Sequence, residues 1–471
     1  MAQKRYIYIL VVFIIITTMT FVRKVKVGKR IYLAEVKNVR KHGKVKQEFI
    51  RYLGREIDGK AVKKVSTKDI EIKNVKQSLD VLAIDRIAEE LRLKSLPYPY
   101  ILALVYSQLL EKRSINKLEE WMRFTEIPEI LGLDKVSVKK LYGSLTDINE
   151  EDFENINDEM NSIFRSYEKT TDAAIVDVTD TYFSGTHFNI KKRKGKDGKI
   201  SKLIQVGLAV SFKNGFPIFH RQYQGNLSGI NIFKDMAIEL KNRGLSSIIL
   251  DRGMISLENL QLALHLKLTI IAGVRKTKTL VKQFISQIER DEIYTAKCRV
   301  KLKQTSVFIR EFNYLDGKLI VVYNPSLEVV KKELNFEKEI ENSSDVGYSL
   351  IYHNTSYSSE EVVRTYYNKE MVERAFKHLK GILHLRPIRV WLTEHIEGHI
   401  KICYLAYAIL SLINYKLKRL NISAVDALES LKYGYKVNLR DAANNFEWSV
   451  HVPLEPKQKK ILEALGVVTK N

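Results

Sequence analysis

The chain has 471 residues, 45% hydrophobic and 28% charged, which excludes a disordered or fibrous protein and allows more than one packed core. Its 78 Lys plus Arg against 55 Asp plus Glu give +23, and because the excess is spread along the chain it points to a polyanionic partner, nucleic acid above all. Only Cys298 and Cys403 are present, which excludes a disulfide framework and a cysteine zinc site and leaves oxygen and nitrogen ligands for any chemistry.

The run "YIYILVVFIIITTMTFV", Tyr6 to Val22, carries no charge and is flanked by Lys4, Arg5, Arg23 and Lys24. It is borderline in length for a bilayer span and lacks a small-residue cleavage site. We read residues 1–18 as an apolar leader upstream of a start at Met19. The competing reading is a membrane anchor. From Arg23 to Lys68 there are 16 Lys or Arg against 4 Asp or Glu. The apolar runs "RIYLAEV" and "QEFIRYLG" around "KHGK" predict a basic β-hairpin module over 19–70, suited to a DNA groove or to a plain solvated surface. Residues 71–165 have helical periodicity broken at Pro97, Pro99, Pro128 and Gly132, which predicts a helix-turn-helix-like DNA-binding domain.

Strand patterns follow in "AAIVDVTDTYF" (173–183), "KLIQVGLAVSF" (202–212) and "FPIFHRQYQG" (216–225), with the basic turn "KKRKGKDGK" (191–199) between the first two. A helix around "IFKDMAIELKNRG", the strand "LSSIIL", a helix "LENLQLALHLK" and the strand "LTIIAGV" complete the first part of a mixed α/β sheet over 166–280. A β-rich insertion is expected over 281–347. There "AKCRVKLKQ" alternates apolar and basic residues, and "SVFIREF" joins "KLIVVY" through "NYLDGK", whose Asp-Gly predicts a tight turn. The second part of the core, 348–420, holds "GYSLIYHNTS", the helical "YYNKEMVERAFKHLKG" and a long apolar helix from Leu392 to Leu417. Residues 421–471 are expected to be helical.

The segment 366–381 carries the first chemical signal. At about 100° per residue Tyr366, Lys369, Glu373, Lys377 and Lys380 share one side of a helix, and Val372, Ala375, Phe376 and Leu379 another. Glu373 with Lys377 is an ordinary surface pair worth about 0.2–0.5 kcal/mol. The alternative is that the lysines neutralise phosphates while the carboxylate holds a metal ion. Such a site needs other acids on rigid elements. Asp177, between Val176 and Val178, and Asp251, closing "SIILDRG", are the candidates. Each has an ordinary role open to it. Asp177 could bond Thr179, and Asp251 could pair with Arg252 or cap the helix near Ser256.

Taken together, these segments resemble the DDE transposases of insertion sequences, in particular the group with a Tyr-x2-Arg-x3-Glu-x6-Lys signature. Tyr366, Lys369, Glu373 and Lys380 match its spacing, with Lys369 in place of Arg. "IVDVTDTYF", "IILDRGM" and "RPIRVWLTEHIEGHI" resemble the flanking stretches, from about Met19 to about residue 420. The resemblance implies an RNase H-like fold with a β-rich insertion, and Asp177, Asp251 and Glu373 as catalytic triad and metal ligands. It implies two Mg²⁺ ions, with Mn²⁺ as substitute, and DNA contacts by Tyr366, Lys369, Lys377 and Lys380. The implied activity is DNA cleavage at the element's terminal inverted repeats and strand transfer of the 3′-OH into target DNA. The protein would act as a homodimer in the cytoplasm at the nucleoid, without a membrane partner. Lys at 369 keeps the charge but loses the bidentate fork. The alternatives are a nuclease that does not join strands, an inactive DNA-binding relative, and a membrane-tethered basic protein. "HIEGH" (395–399) spaces His395 and His399 as a zinc pair but puts Glu397 in the wrong place for a metalloprotease, so the imidazoles are read as structural or DNA-facing.

Overall fold

The computed structural model describes residues 20–27, 30–41, 44–62, 70–168, 173–183, 192–194, 200–225, 227–303, 305–341, 343–368, 370–383, 385, 388, 390, 392–441 and 446–468. The chain divides into two compact units, residues 1–78 with 434–454 and the last two residues, and residues 79–433 with 455–469. Residues 1–19, which include the whole apolar leader of residues 1–18, lie outside the described residues, and Thr20–Val22, the end of the uncharged run, open a strand.

In the first unit β1 (Thr20–Val27), β2 (Arg30–Lys41), β3 (Lys44–Ile57) and β4 (Lys60–Val62) pair antiparallel in that order. A four-stranded meander therefore stands where a single hairpin was expected. The alternation in "TFVRKVKV" makes β1 a strand, and Asp58 and Gly59, both at positive φ, form the two-residue turn into β4. β5 (Ile70–Gln77) finds its partners at the far end of the chain, as described below.

The second unit opens with α1 (Leu79–Glu90), α2 (Pro99–Leu110), started by a proline that lacks only an N–H the helix would not use, and α3 (Glu150–Glu168). The sheet follows: β6 (Ala173–Phe183), β7 (Lys192–Lys194), β8 (Ile200–Ser211) and β9 (Pro217–Gln224), then α4 (Gly229–Asn242), β10 (Ser247–Leu250), α5 (Leu257–His265) and β11 (Thr269–Val274). β6, β8 and β9 pair antiparallel, whereas β10 lies parallel to both β6 and β11. Ser228 and Ser256 cap α4 and α5 with their hydroxyls. Alternate residues of the strands, among them Val176, Val178, Ile248 and Leu250, pack with Phe233, Met236 and Leu260 of these helices into one core.

β12 (Arg299–Lys301), β13 (Ser306–Tyr314) and β14 (Gly317–Tyr323) form an antiparallel meander, but the expected separate insertion is corrected here. β14 pairs with β15 (Tyr348–His353) and β15 with β11, so these strands extend the main sheet to ten strands among the described residues. The apolar run Leu319–Tyr323 is buried, which suits a sheet covered on both faces. The turn between β13 and β14 is also shifted by one residue. Its central pair is Leu315 and Asp316, with Leu315 at φ 50°, and Gly317 begins β14. A Cβ at Gly317 would meet His353 O at 2.4 Å, so the glycine serves strand approach rather than the turn.

α6 (Pro325–Glu337) connects β14 to β15, and α7 (Ser359–Tyr367), α8 (Glu370–Lys377) and α9 (Thr393–Leu417) follow. The segment Glu394–Leu420 is long and apolar enough to cross a membrane, but 89% of its most apolar window is buried inside the unit. It is a core helix. α9 packs on α1, α2 and β9, and on α10 (Ala424–Leu431) and α11 (Pro456–Leu465). Tyr404 donates to Asn157 Oδ1 at 2.7 Å and Tyr407 to Gly215 O at 2.6 Å. The helices of 79–168 thus share one unit with the sheet instead of forming the separate helical domain expected over 71–165. A helix apolar on every side must be surrounded, and these helices surround it.

The C-terminal expectation is corrected too. β16 (Tyr435–Asp441) and β17 (Phe446–His451) are strands, and β16 pairs with β5 in a three-stranded sheet of the first unit. The alternation in "YKVNLRD" and "FEWSVH" carries that signal.

Candidate active site

β6 and β10 run parallel with Val176 opposite Leu250, so one further step in register sets Asp177 beside Asp251. Neighbouring strands lie about 4.8 Å apart, which brings the two backbones within reach of a common ligand at the carboxyl end of β10. Both residues are half-buried. Val176, Val178 and Leu250 point into the core shared with α4 and α5, so Asp177 and Asp251 face the opposite side of the sheet. Asp177 Oδ1 accepts from Val178 N at 2.7 Å. The cap of α5 is Ser256 itself, which removes that ordinary role from Asp251.

The third part of the site comes from α7 and α8, which lie on the same side. Tyr366 is 9% exposed, and its hydroxyl donates to Asp251 Oδ1 at 3.4 Å. A Cβ at Gly273 of β11 would stand 2.2 Å from that hydroxyl oxygen, so the glycine is what admits the ring. α8 packs on β6 and β8, burying Val372, Ala375 and Phe376, while the Thr181 hydroxyl of β6 donates to Leu385 O at 2.7 Å. Glu373 and Lys377 are on the exposed side of α8.

The expectation of one continuous helix face over 366–380 is corrected. α7 ends at Tyr367, where the Asn368 N–H bonds back to the last carbonyls, and α8 starts afresh at Glu370. A π-helical turn, His378–Ile382, then changes the phase before Lys380. Tyr366 therefore faces the sheet while Glu373 faces outward. Lys369 lies outside the described residues, as do residues 195–199 of the basic turn.

Sequence reasoning missed three cations at the same sheet end. Arg252 follows β10, Lys276 follows β11, and Lys331 comes from α6. Burial, then the charges of Lys276 and Arg252, hold the Lys331 ammonium below its ordinary pKa. Lys276 also pairs with Asp345. Their separation in sequence hid them. His395 stacks on Tyr142, with ring centroids 6.0 Å apart, and His399 Nε2 is 3.6 Å from Cys403 Sγ, as packing residues would be.

The donor set of Asp177, Asp251 and Glu373 is all oxygen, the chemistry that hard divalent cations require. Register brings the two aspartates together. Among the described residues no group of three His, Cys, Asp or Glu side chains is placed to hold a metal ion, and Glu373 is on the exposed side of α8.

A fold with acids at parallel strand ends and cations around them belongs to the class of α/β proteins whose sites lie at the carboxyl edge of the sheet. A family model described as transposase DDE domain matches residues 168–409, just over half of the chain, and the protein belongs to that family. Among solved structures, the cryo-EM piggyBac transposase synaptic complex with hairpin DNA is similar at 13% sequence identity and a TM-score of 0.42, over 71% of this chain and 69% of that chain. No curated protein sequence matches.

Proposed function

We propose that the protein is a transposase that cuts DNA at the ends of its element and joins the freed 3′-OH to target DNA, acting as a DNA-bound homodimer at the nucleoid. The observation that carries this reading is the parallel register of β6 and β10, which ends with Val176 opposite Leu250, one residue before Asp177 and Asp251, inside the segment matched by the transposase family model. The order of the sheet, three antiparallel strands followed by two parallel ones through helical crossovers, supports the RNase H-like reading.

Asp177 and Asp251, with Glu373 brought in by a rotation of α8 on the sheet that it already covers, would hold Mg²⁺ or Mn²⁺, two ions in all, which would supply Lewis acidity to a phosphate oxygen and activate water. Tyr366 fixes the Asp251 carboxylate through its hydroxyl rather than reaching DNA. Lys377, Lys369 and Lys380, from the signature segment, and Arg252, Lys276 and Lys331 around the strand ends neutralise the phosphates of the strand to be cut. The nucleophiles are water and then a DNA hydroxyl, so no side chain forms a covalent bond to DNA.

The test uses DNA carrying the inverted repeats that flank the gene. Cleavage that needs Mg²⁺ and is abolished by Glu373→Gln supports the reading, and joined products support transposition over simple hydrolysis. Binding without cleavage in either metal assigns the protein to the inactive relatives instead.

A further inference from the structure

The four-stranded sheet of the first unit sorts its side chains by charge. Following alternation through the pairing register, Glu35, Glu48 and Glu56 all fall on one face. There Arg51 pairs with Glu35 at 2.7 Å, Lys37 with Glu48 at 3.6 Å and Lys24 with Glu56. Among the described residues of these strands the other face has no carboxylate. It carries Arg23, Tyr32, Gln47, Phe49, Tyr52 and Arg55 around buried Ala34 and Val36. Phe49 and Tyr52 are 55% and 58% exposed, and their ring centroids lie 4.7 Å apart. Arg23 Nη1 donates to Gln47 Oε1 at 2.9 Å, which holds its guanidinium across this face.

Exposed aromatic rings beside arginines, on a face cleared of acids, require a partner that offers both negative charge and flat apolar surface. An intact duplex offers phosphates but keeps its base faces stacked inside. An unpaired strand offers both. An acidic protein would supply the charge without the flat surface.

We propose that this face binds unpaired nucleotides of the DNA substrate, with bases stacked on Phe49 and Tyr52 and phosphates held by Arg23 and Arg55. The proposal rests on DNA being the substrate, as in the function above. It adds a site, remote in sequence from the acids, that distinguishes opened from paired DNA ends.

The experiment is fluorescence anisotropy of the full chain in EDTA, with a labelled oligonucleotide of about 20 nucleotides, longer than the footprint of such sheets, single-stranded or annealed to its complement. Phe49→Ala combined with Tyr52→Ala is expected to weaken single-strand binding by about tenfold or more. Duplex binding should change by less than about twofold, and Phe49→Tyr should keep wild-type affinity, since a phenol stacks as a phenyl does. Arg55→Gln should lower single-strand affinity and flatten its salt dependence. Circular dichroism of each variant guards against misfolding. Unchanged single-strand binding in the double variant, or an equal loss on duplex, overturns the proposal. So does a change in sedimentation without any change in DNA binding, because the face would then be a protein contact. Because EDTA removes chemistry from the assay, a failure of Mg²⁺-dependent cleavage sinks the functional reading above without touching this one.

Discussion

The ten-stranded and four-stranded sheets are built from the same kinds of residue and handle them in opposite ways. In the large sheet, β10 and β11 read as uncharged apolar runs because helices or strands cover both faces, and along these two segments charge falls past the strand ends, at Asp251, Arg252 and Lys276. In the small sheet, β1 to β3 alternate, charge runs the whole length of each strand, and even Phe49 and Tyr52 stay exposed. Covering both faces pushes reactive groups to an edge, where few residues can be held in register. An uncovered sheet spreads its binding groups across a surface.

The comparison breaks most visibly at the edge. Asp177→Asn or Asp251→Asn should lower Mg²⁺-dependent cleavage of labelled DNA by about a thousandfold or more, since neutral amides cannot hold the cations, while leaving thermal unfolding essentially unchanged. A modest loss would mean that the edge is not where the chemistry lies. The difference in covering can be read by denaturant unfolding. Leu412→Ala, fully buried in α9, should cost about 2–5 kcal/mol, whereas Val45→Ala, largely exposed on β3, should cost less than about 0.5 kcal/mol. Equal costs would mean that the small sheet is covered after all. Tyr366→Phe removes only the hydroxyl on Asp251, and should reduce cleavage about 10- to 100-fold with more Mg²⁺ needed for half-maximal rate. If DNA affinity falls instead and the Mg²⁺ requirement stays, Tyr366 is a DNA contact.

The smallest effect concerns pH. His220 on β9 is enclosed by the rings of Phe153 and Tyr404, and burial, with the charge of Arg221 second, pushes its pKa down to about 3 from 6.5. The folded imidazole stays neutral while the unfolded one takes a proton below pH 6.5, so stability present above that value is lost as pH falls toward 3. Between pH 6.5 and 5.5 the loss should be about 1 kcal/mol, absent in His220→Gln, as measured by denaturant unfolding at each pH.

Much of the large sheet was legible in the chain. The strand and helix order over 173–274 follows from apolar runs and caps, and β6 and β10 stand out because each apolar run meets an aspartate. Other features were not legible. The β5–β16 pairing joins residues some 360 positions apart, and local alternation says nothing about a strand's partner. The break at Asn368 interrupts a segment whose periodicity reads as one helix, so Tyr366 and Glu373 part company only when the chain folds. The cluster of Arg252, Lys276 and Lys331 depends on three connections meeting at one sheet edge.

By itself the sequence pointed to a polyanionic partner and to acidic residues of the type that hard cations require, and it carried the alternation that makes each strand, because charge, ligand chemistry and side-chain period belong to the residues themselves. Tertiary structure alone decided that Asp177 and Asp251 lie side by side, that Tyr366 turns inward to one of them, and that the acids of the small sheet share one face. Those outcomes depend on strand register and helix packing, and register is settled only between segments that local sequence cannot relate.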